Sequence, residues 1–336
     1  MELMGVHLPG TAFVNPGTPI REALLRAAAV RCIELAKSGD MPFGVMIDER
    51  AFVNALVGLL ATGGSTNHAL HIPAMAAAAG IVIDWDDFSD ISGVTPLLAR
   101  VYPNGSADVN MFHAAGGMAF LTRELLSVGL LHSDVMTNAG RGLDAYATEP
   151  WLDGDKLAWR AAAAKSLDKS ILRPVHEPFE VEGGIRLLKG SLGRGVIKIS
   201  SVPPDRRRIE APAALFDSQA AFTAAFKAGK LDRDVVVVVR FQGPRANGMP
   251  ELHSLTPALT ALQNKGFRVA LVTDGRMSGA SGAVPAAIHV CPGADDNGPL
   301  ARVIDGDLMV LDAEAGALDV MVDPAVLAQR RPAPQP

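Results

Sequence analysis

The sequence is poor in cysteine, in aromatic residues and in surplus positive charge. Only two cysteines, Cys32 and Cys291, occur in 336 residues. That excludes a disulfide scaffold and any all-cysteine metal cluster held by this chain alone. It also fits a reducing, cytoplasmic setting. Aromatic residues make up 5% of the chain, so the core must be packed with Ala, Val, Leu and Ile. Charged residues are 20% against 49% hydrophobic, the reverse of a disordered composition. The formal net charge of -5 leaves no basic excess to neutralise phosphates, which argues against a nucleic-acid partner. Long apolar runs are missing too. The longest, Ile72 to Ile83, contains Pro73 and Gly80 and is too short to cross a bilayer. The N-terminus shows neither a basic segment nor a long apolar one, so no signal peptide is expected, and no membrane partner is expected either.

What is present is small, apolar and rich in turns, with 33 glycines. Thr18-Pro19 starts a helix that runs to Lys37, and Gly39 stops it. A second helix follows Asp48 and ends at Gly63-Gly64. A third begins at Ser65-Thr66-Asn67 and closes at Gly80, and a fourth is expected from about Phe112 to Gly129. Ile81 to Ile83 reads as a short buried strand or an extended link. These helices are Ala-rich and apolar on several sides, which predicts burial. Beyond Glu177 to Gly184 the pattern changes. Short β-rich runs appear at Ile185–Leu188, Val196–Ile199, Val235–Val239, Val269–Val272 and Leu308–Leu311, interrupted by helical stretches at Ser218–Lys227 and Glu251–Asn264. Strands alternating with helices predict an α/β domain. The expected division is 1–183, 184–328 and a flexible tail over 329–336.

Four segments could carry chemistry. In Ala61 to His68, two glycines lead into Ser65, Thr66 and Asn67 at a helix start. Unpaired amides there could hold a phosphate or carboxylate; the plainer reading is a helix C-cap followed by an N-cap. His68 and His71 share a helix face and could bind a metal, but no carboxylate accompanies them, so satisfied core histidines are expected. Phe241 to His253 follows the Val235–Val239 strand, where open α/β folds collect ligands. Its Glu251 either caps the next helix or ligates a hard cation such as Mg²⁺. Thr273 to Gly282 also follows a strand and is built of small residues. Ser278 there is a near miss for a hydrolase elbow, because Gly is absent two residues before it. Either the loop is a structural turn, or Ser278 is activated by a nearby dication or cluster rather than by a histidine.

Taken together these segments resemble the dihydroxy-acid/6-phosphogluconate dehydratase family, and within it the 6-phosphogluconate branch. The resemblance rests on Leu8-Pro9-Gly10, the run ATGGSTNHALH at Ala61 to His71, DWDDFSD at Asp84 to Asp90, YPNG at Tyr102 to Gly105, HAAGG at His113 to Gly117, QGPRANGMPELH at Gln242 to His253 and VTDGRMSGASG at Val272 to Gly282, with VPAAIHV following. It implies the C-terminal part of an N-terminal α/β domain followed by a swivelling β-barrel-like domain. It implies dehydration of a phosphorylated sugar acid by a cytoplasmic homo-oligomer of the Entner–Doudoroff pathway, using an iron–sulfur cluster, [4Fe–4S], and possible Mg²⁺. By motif match Ser278 is the base and Glu251 the metal-side carboxylate. Gly64, Ser65, Thr66 and Asn67 bind substrate, with Arg245 and Arg276 making contacts to its anionic groups. The cluster-ligand motifs of the family are absent, Ala283 stands in place of a usual Lys, and Ser191 in place of Asn. The expectation is therefore a piece covering the middle and C-terminal portion of a family member. The alternatives are a non-catalytic sugar-acid-binding or assembly piece, and a dehydratase of dihydroxy acids or other aldonates.

Overall fold

The computed structural model describes residues 1–277 and 283–336. They form two compact units. The first comprises Met1–Gly64 and Leu70–Gly183, the second Ser65–Ala69 and Gly184–Pro336.

The first unit is mainly helical, and local chemistry sets its helix ends. Thr18 accepts a hydrogen bond from the Arg21 amide at the start of the helix Pro19–Ser38, and Gly39 closes it in the left-handed conformation. Asp48 caps Glu49–Ala61 in the same way through the Ala51 amide. A capping box between Asp84 and Asp87 opens Trp85–Val94. The expected helix from Phe112 is in fact two, Val109–Ala114 and Gly117–Ser127. It breaks at Gly116, whose φ of 133° no helix accommodates. Ile81 to Ile83 form no strand, and Val82 is 91% exposed. Two small ribbons complete the unit: β1 (Met136–Thr137) with β2 (Gly140–Arg141), and β3 (Thr148–Asp153) with β4 (Lys156–Ala161). Its core gathers Leu98, Phe112, Phe120, Leu121, Leu125 and Tyr146. Burial does not extend to the first helix, where Leu24 is the one fully buried side chain.

The second unit is a closed eight-stranded barrel. Its strands are β5 (Arg186–Gly190), β6 (Gly193–Ile197), β7 (Arg208–Phe216), β8 (Val235–Val239), β9 (Val269–Thr273), β10 (Ala286–Cys291), β11 (Leu308–Asp312) and β12 (Ala317–Val320), in the order β10-β6-β5-β12-β11-β7-β8-β9. The run β7-β8-β9-β10 is parallel; the helices Gln219–Lys227 and Thr256–Asn264 lie on the β7–β8 and β8–β9 connections. All five valines of β8 are buried, as a parallel strand covered on both faces requires. Val236, Val238, Ala270, Val272, Ala287, Met309 and Leu311 belong to the main apolar cluster. Sequence patterning missed β7, because Pro212 lies inside it and its outward residues are polar.

Candidate functional site

The site candidates of the second unit meet at the carboxyl ends of the parallel strands, where ligands collect in such sheets. Asp274 follows β9 and is buried. Its Oδ2 accepts from the amides of Phe241 at 3.1 Å and Ala294 at 3.0 Å, and its Oδ1 accepts from Gln242 at 2.9 Å. One carboxylate therefore ties together the turns that follow β8, β9 and β10. Burial pushes its titration up, and the three amide bonds oppose that shift. Gln242, also buried, repeats the theme. Its amide nitrogen donates to the carbonyls of Asp217, Arg240 and Phe241, and its oxygen accepts from Asn247. Gly275 is needed for close approach, because a Cβ there would come within 2.7 Å of Gln242 Cβ and 2.9 Å of a Leu252 methyl.

Arg276 and Glu251 are brought together. The guanidinium donates to Glu251 Oε2 at 2.7 Å and to the Met249 carbonyl at 2.8 Å. Their backbones form an isolated parallel bridge, and the Leu252 amide bonds the Arg276 carbonyl. Glu251 thus does not cap the following helix, which begins only at Thr256. Arg245 is not in this pair. It is exposed and binds Asp295 and Asp296. Thr66 is buried, and its hydroxyl donates to the Met277 carbonyl at 2.8 Å. Asn67 Oδ1 is buried with no hydrogen-bond partner among the described residues. Ser65 Oγ accepts from the Asn67 amide. Ser278 lies outside the described residues.

Gly64 belongs to the first unit and has the plainer role. Its amide bonds the Leu59 carbonyl at 2.8 Å, and the Gly63 amide bonds Leu60, which closes the helix Glu49–Ala61. Those two amides are engaged in the cap. His68 and His71 are both exposed, against the expectation of core positions. The helix His68–Ala78 directs other side chains, Ala69, Ile72 and Ala76, into burial.

Two residues that sequence reading passed over belong to the second unit's interior. His289 is buried in β10, at a break in the register between Ile288 and Cys291, with a φ of 57°. Its amide bonds the Gly275 carbonyl at 2.9 Å. Burial, and then the Arg276 guanidinium, push its titration down to about 4. The signal was a histidine inside an otherwise apolar strand run. Lys198, just after β6, is buried and makes no ion pair among the described residues. Burial pushes it down to about 8.

The Thr66 contact yields a direct expectation. Thr66→Val keeps the shape but removes the buried bond to Met277 and orphans its carbonyl. Loss of about 1–3 kcal/mol of stability is expected in urea unfolding. An unchanged midpoint would show that the hydroxyl contributes nothing.

The donor set does not fit an iron–sulfur cluster. Cys32 is exposed on the first helix and Cys291 is exposed at the end of β10, in different units, and the chain has no third cysteine. Among the described residues no group of three or more His, Cys, Asp or Glu could hold a metal ion. A resident Mg²⁺ at Glu251 fits poorly as well, because that carboxylate is already engaged by Arg276. No described helix is long and apolar enough to cross a membrane.

The fold and these strand-end turns define an α/β protein with a closed barrel whose loops carry an Arg–Glu pair and a buried carboxylate strut. The family model for the dihydroxy-acid/6-phosphogluconate dehydratase N-terminal region matches residues 1–146, and the C-terminal model matches residues 170–336. The chain belongs to the dihydroxy-acid/6-phosphogluconate dehydratase family. It is 58% identical to a phosphogluconate dehydratase of Pseudomonas aeruginosa over all of this chain and 56% of that protein. It is 56% identical to a phosphogluconate dehydratase of Escherichia coli over 99% of this chain and 55% of that protein. Against a dihydroxy-acid dehydratase of Nitratidesulfovibrio vulgaris the identity is 37%, over 98% of this chain and 57% of that protein. The chain spans a little over half the length of these curated relatives.

Proposed function

We propose that the protein to which this chain contributes is a hydro-lyase that dehydrates 6-phospho-D-gluconate to 2-dehydro-3-deoxy-6-phospho-D-gluconate, a step of the Entner–Doudoroff pathway. The observation that carries the reading is the contrast in identity. It is 58% with a phosphogluconate dehydratase and 37% with a dihydroxy-acid dehydratase, over nearly the same residues of this chain. A phosphorylated sugar acid is the substrate class, and the dihydroxy-acid alternative is not favoured.

The reaction removes a proton from C2 and the hydroxyl from C3, and the resulting enol tautomerises to the keto acid. By motif, Ser278 takes the C2 proton. The residues before it support that role. Thr273 accepts the Gly275 amide, Asp274 anchors three turns, and Arg276 holds Glu251, so the stem leading to Ser278 is fastened by its own side chains. Arg276, Ser65, Thr66 and Asn67 form the proposed substrate contacts of the second unit. The orphaned Asn67 oxygen is a place for a sugar hydroxyl to donate. Arg245, already paired with two aspartates, is a weaker contact. Gly64 serves through its turn. The cluster and Mg²⁺ of the family have no place in a step derived from this chain, because the donors present do not fit them. Cytoplasmic residence and a homo-oligomer of the complete protein complete the reading.

The test joins this chain to the remaining portion of the Pseudomonas aeruginosa relative. Ser278→Ala in that chimera is expected to lower kcat for 6-phosphogluconate by about 10²–10⁴-fold. Full turnover by the variant would refute the assignment of the base. The 336-residue chain alone is expected to show no iron–sulfur absorbance and no turnover. Brown colour with activity would refute that expectation and favour complete catalysis by this chain.

A further inference from the structure

The first helix poses a physical problem that the proposed reaction does not address. Pro19–Ser38 is a fully formed helix, capped at both ends. One face is anchored: Leu24 is buried, and Arg31 Nε donates to the Asn138 carbonyl at 2.7 Å. Leu25, Ala29, Cys32, Ile33 and Ala36 occur at i, i+4, i+7, i+8 and i+11, a spacing that places them on one stripe. All five are exposed. Leu25 is 50% and Ile33 56% exposed; the short helix Phe43–Met46, next in sequence, also exposes Phe43 at 62% and Val45 at 49%. A helix stripe of this period and polarity is what a core or an interface selects, whereas a solvated face carries charge. Contiguous exposed apolar surface marks a docking site.

The occupant is indicated by length. The Pseudomonas aeruginosa and Escherichia coli relatives align with this whole chain, yet 56% and 55% of their own residues account for that alignment. A little under half of each relative therefore lies outside the alignment, and the N-terminal family model covers the part of this chain that bears the stripe. We propose that the Leu25–Ile33–Ala36 stripe is the seat of the portion of these relatives that lies outside the stretch aligned with this chain. This rests on family membership and not on the dehydration reading, so a binding readout tests it independently of activity.

Cys32 lies on the stripe and is a native reporter. In a Cys291→Ser background, its alkylation by a maleimide is followed with and without the non-aligned portion of the Pseudomonas aeruginosa relative, produced as a separate polypeptide. Expected are a one-to-one complex by light scattering, slowed alkylation of Cys32, and new hydrogen-exchange protection over residues 25–36. Leu25→Glu with Ile33→Glu is expected to weaken the complex at least ~30-fold, as loss of a buried anchor does. Val82→Glu, at a position 91% exposed and off the stripe, is expected to leave it unchanged. A complex whose protection falls elsewhere overturns the proposal. So does self-association of the 336-residue chain that shields Cys32, which would assign the stripe to a second copy. If the separate portion does not fold, hydrogen exchange on the intact Pseudomonas aeruginosa relative decides. Protection over the counterpart of residues 25–36 that persists in the dilute monomer supports the seat; free exchange there, or protection lost on dilution, refutes it.

Discussion

Asp274→Ala is expected to destabilise the barrel unit by about 3–6 kcal/mol, the largest effect of any single substitution outside its apolar core. The carboxylate satisfies the amides of Phe241, Gln242 and Ala294. Each buried donor left without a partner costs about 1–3 kcal/mol. Alanine removes all of these acceptors together and leaves no side chain in their place. Asp274→Asn should fall between wild type and alanine. Its single carbonyl oxygen can keep part of the set, while its NH₂ meets an amide that also donates. Urea unfolding followed by circular dichroism supplies the midpoint. Hydrogen exchange over β8, β9 and β10 shows where protection is lost. Tryptophan fluorescence serves as the contrast, because Trp85, Trp151 and Trp159 all lie in the first unit. A change of less than ~1 kcal/mol for alanine would mean that water replaces the carboxylate and that the strut is dispensable.

The second large effect is a loss of stability in mild acid that depends on His289. Burial and the neighbouring Arg276 charge push this imidazole down to about 4 in the folded chain. In the unfolded chain it binds its proton with an ordinary pKa near ~6.5. Between those values unfolding takes up a proton, so acidification favours the unfolded state. The contribution of His289 is therefore complete above pH ~6.5 and is lost as the pH falls through about 4. The gap corresponds to about 3 kcal/mol. Carboxylates titrate in the same range, so the informative quantity is the difference from His289→Asn. Asparagine tolerates the left-handed backbone that His289 adopts, with φ 57°. The variant's stability should depend less steeply on pH from 6.5 to 4 by that amount. Parallel curves for the two proteins would show that His289 does not carry the effect.

How much of this was legible in the sequence differs from element to element. The first helix was readable almost to the residue, because Thr18, Pro19 and Gly39 act on backbone groups within one turn of themselves. The strand Val235–Val239 was equally plain, since an uninterrupted valine run suits a strand buried on both faces. The burial of that first helix was misread. Alanine and leucine around a helix predict a core position, but burial depends on what packs against the helix, and no local pattern supplies the partner. Ala115 and Gly116 interrupted a helix that composition alone would have continued. Strand β7 was hidden by Pro212, which is tolerable there because it is exposed and lies ahead of the pairing with β8, which begins at Ala213.

For the site, the sequence determined the chemistry available. It named the loops after β8 and β9, the residues Glu251, Arg276 and Thr66, and a cysteine count too low for a cluster. Tertiary structure decided the roles. Glu251 and Arg276 are 25 positions apart in sequence and become an ion pair only because β8 and β9 are parallel neighbours whose ends emerge together. Asp274 looked like one small residue in a Gly-rich loop until barrel closure placed the turns after β8 and β10 on either side of it. His289 became distinctive only through a left-handed backbone at a break in strand register. Caps and propensities act over a few residues and can be read directly. Pairing, register and burial depend on distant segments, so only the folded chain settles them.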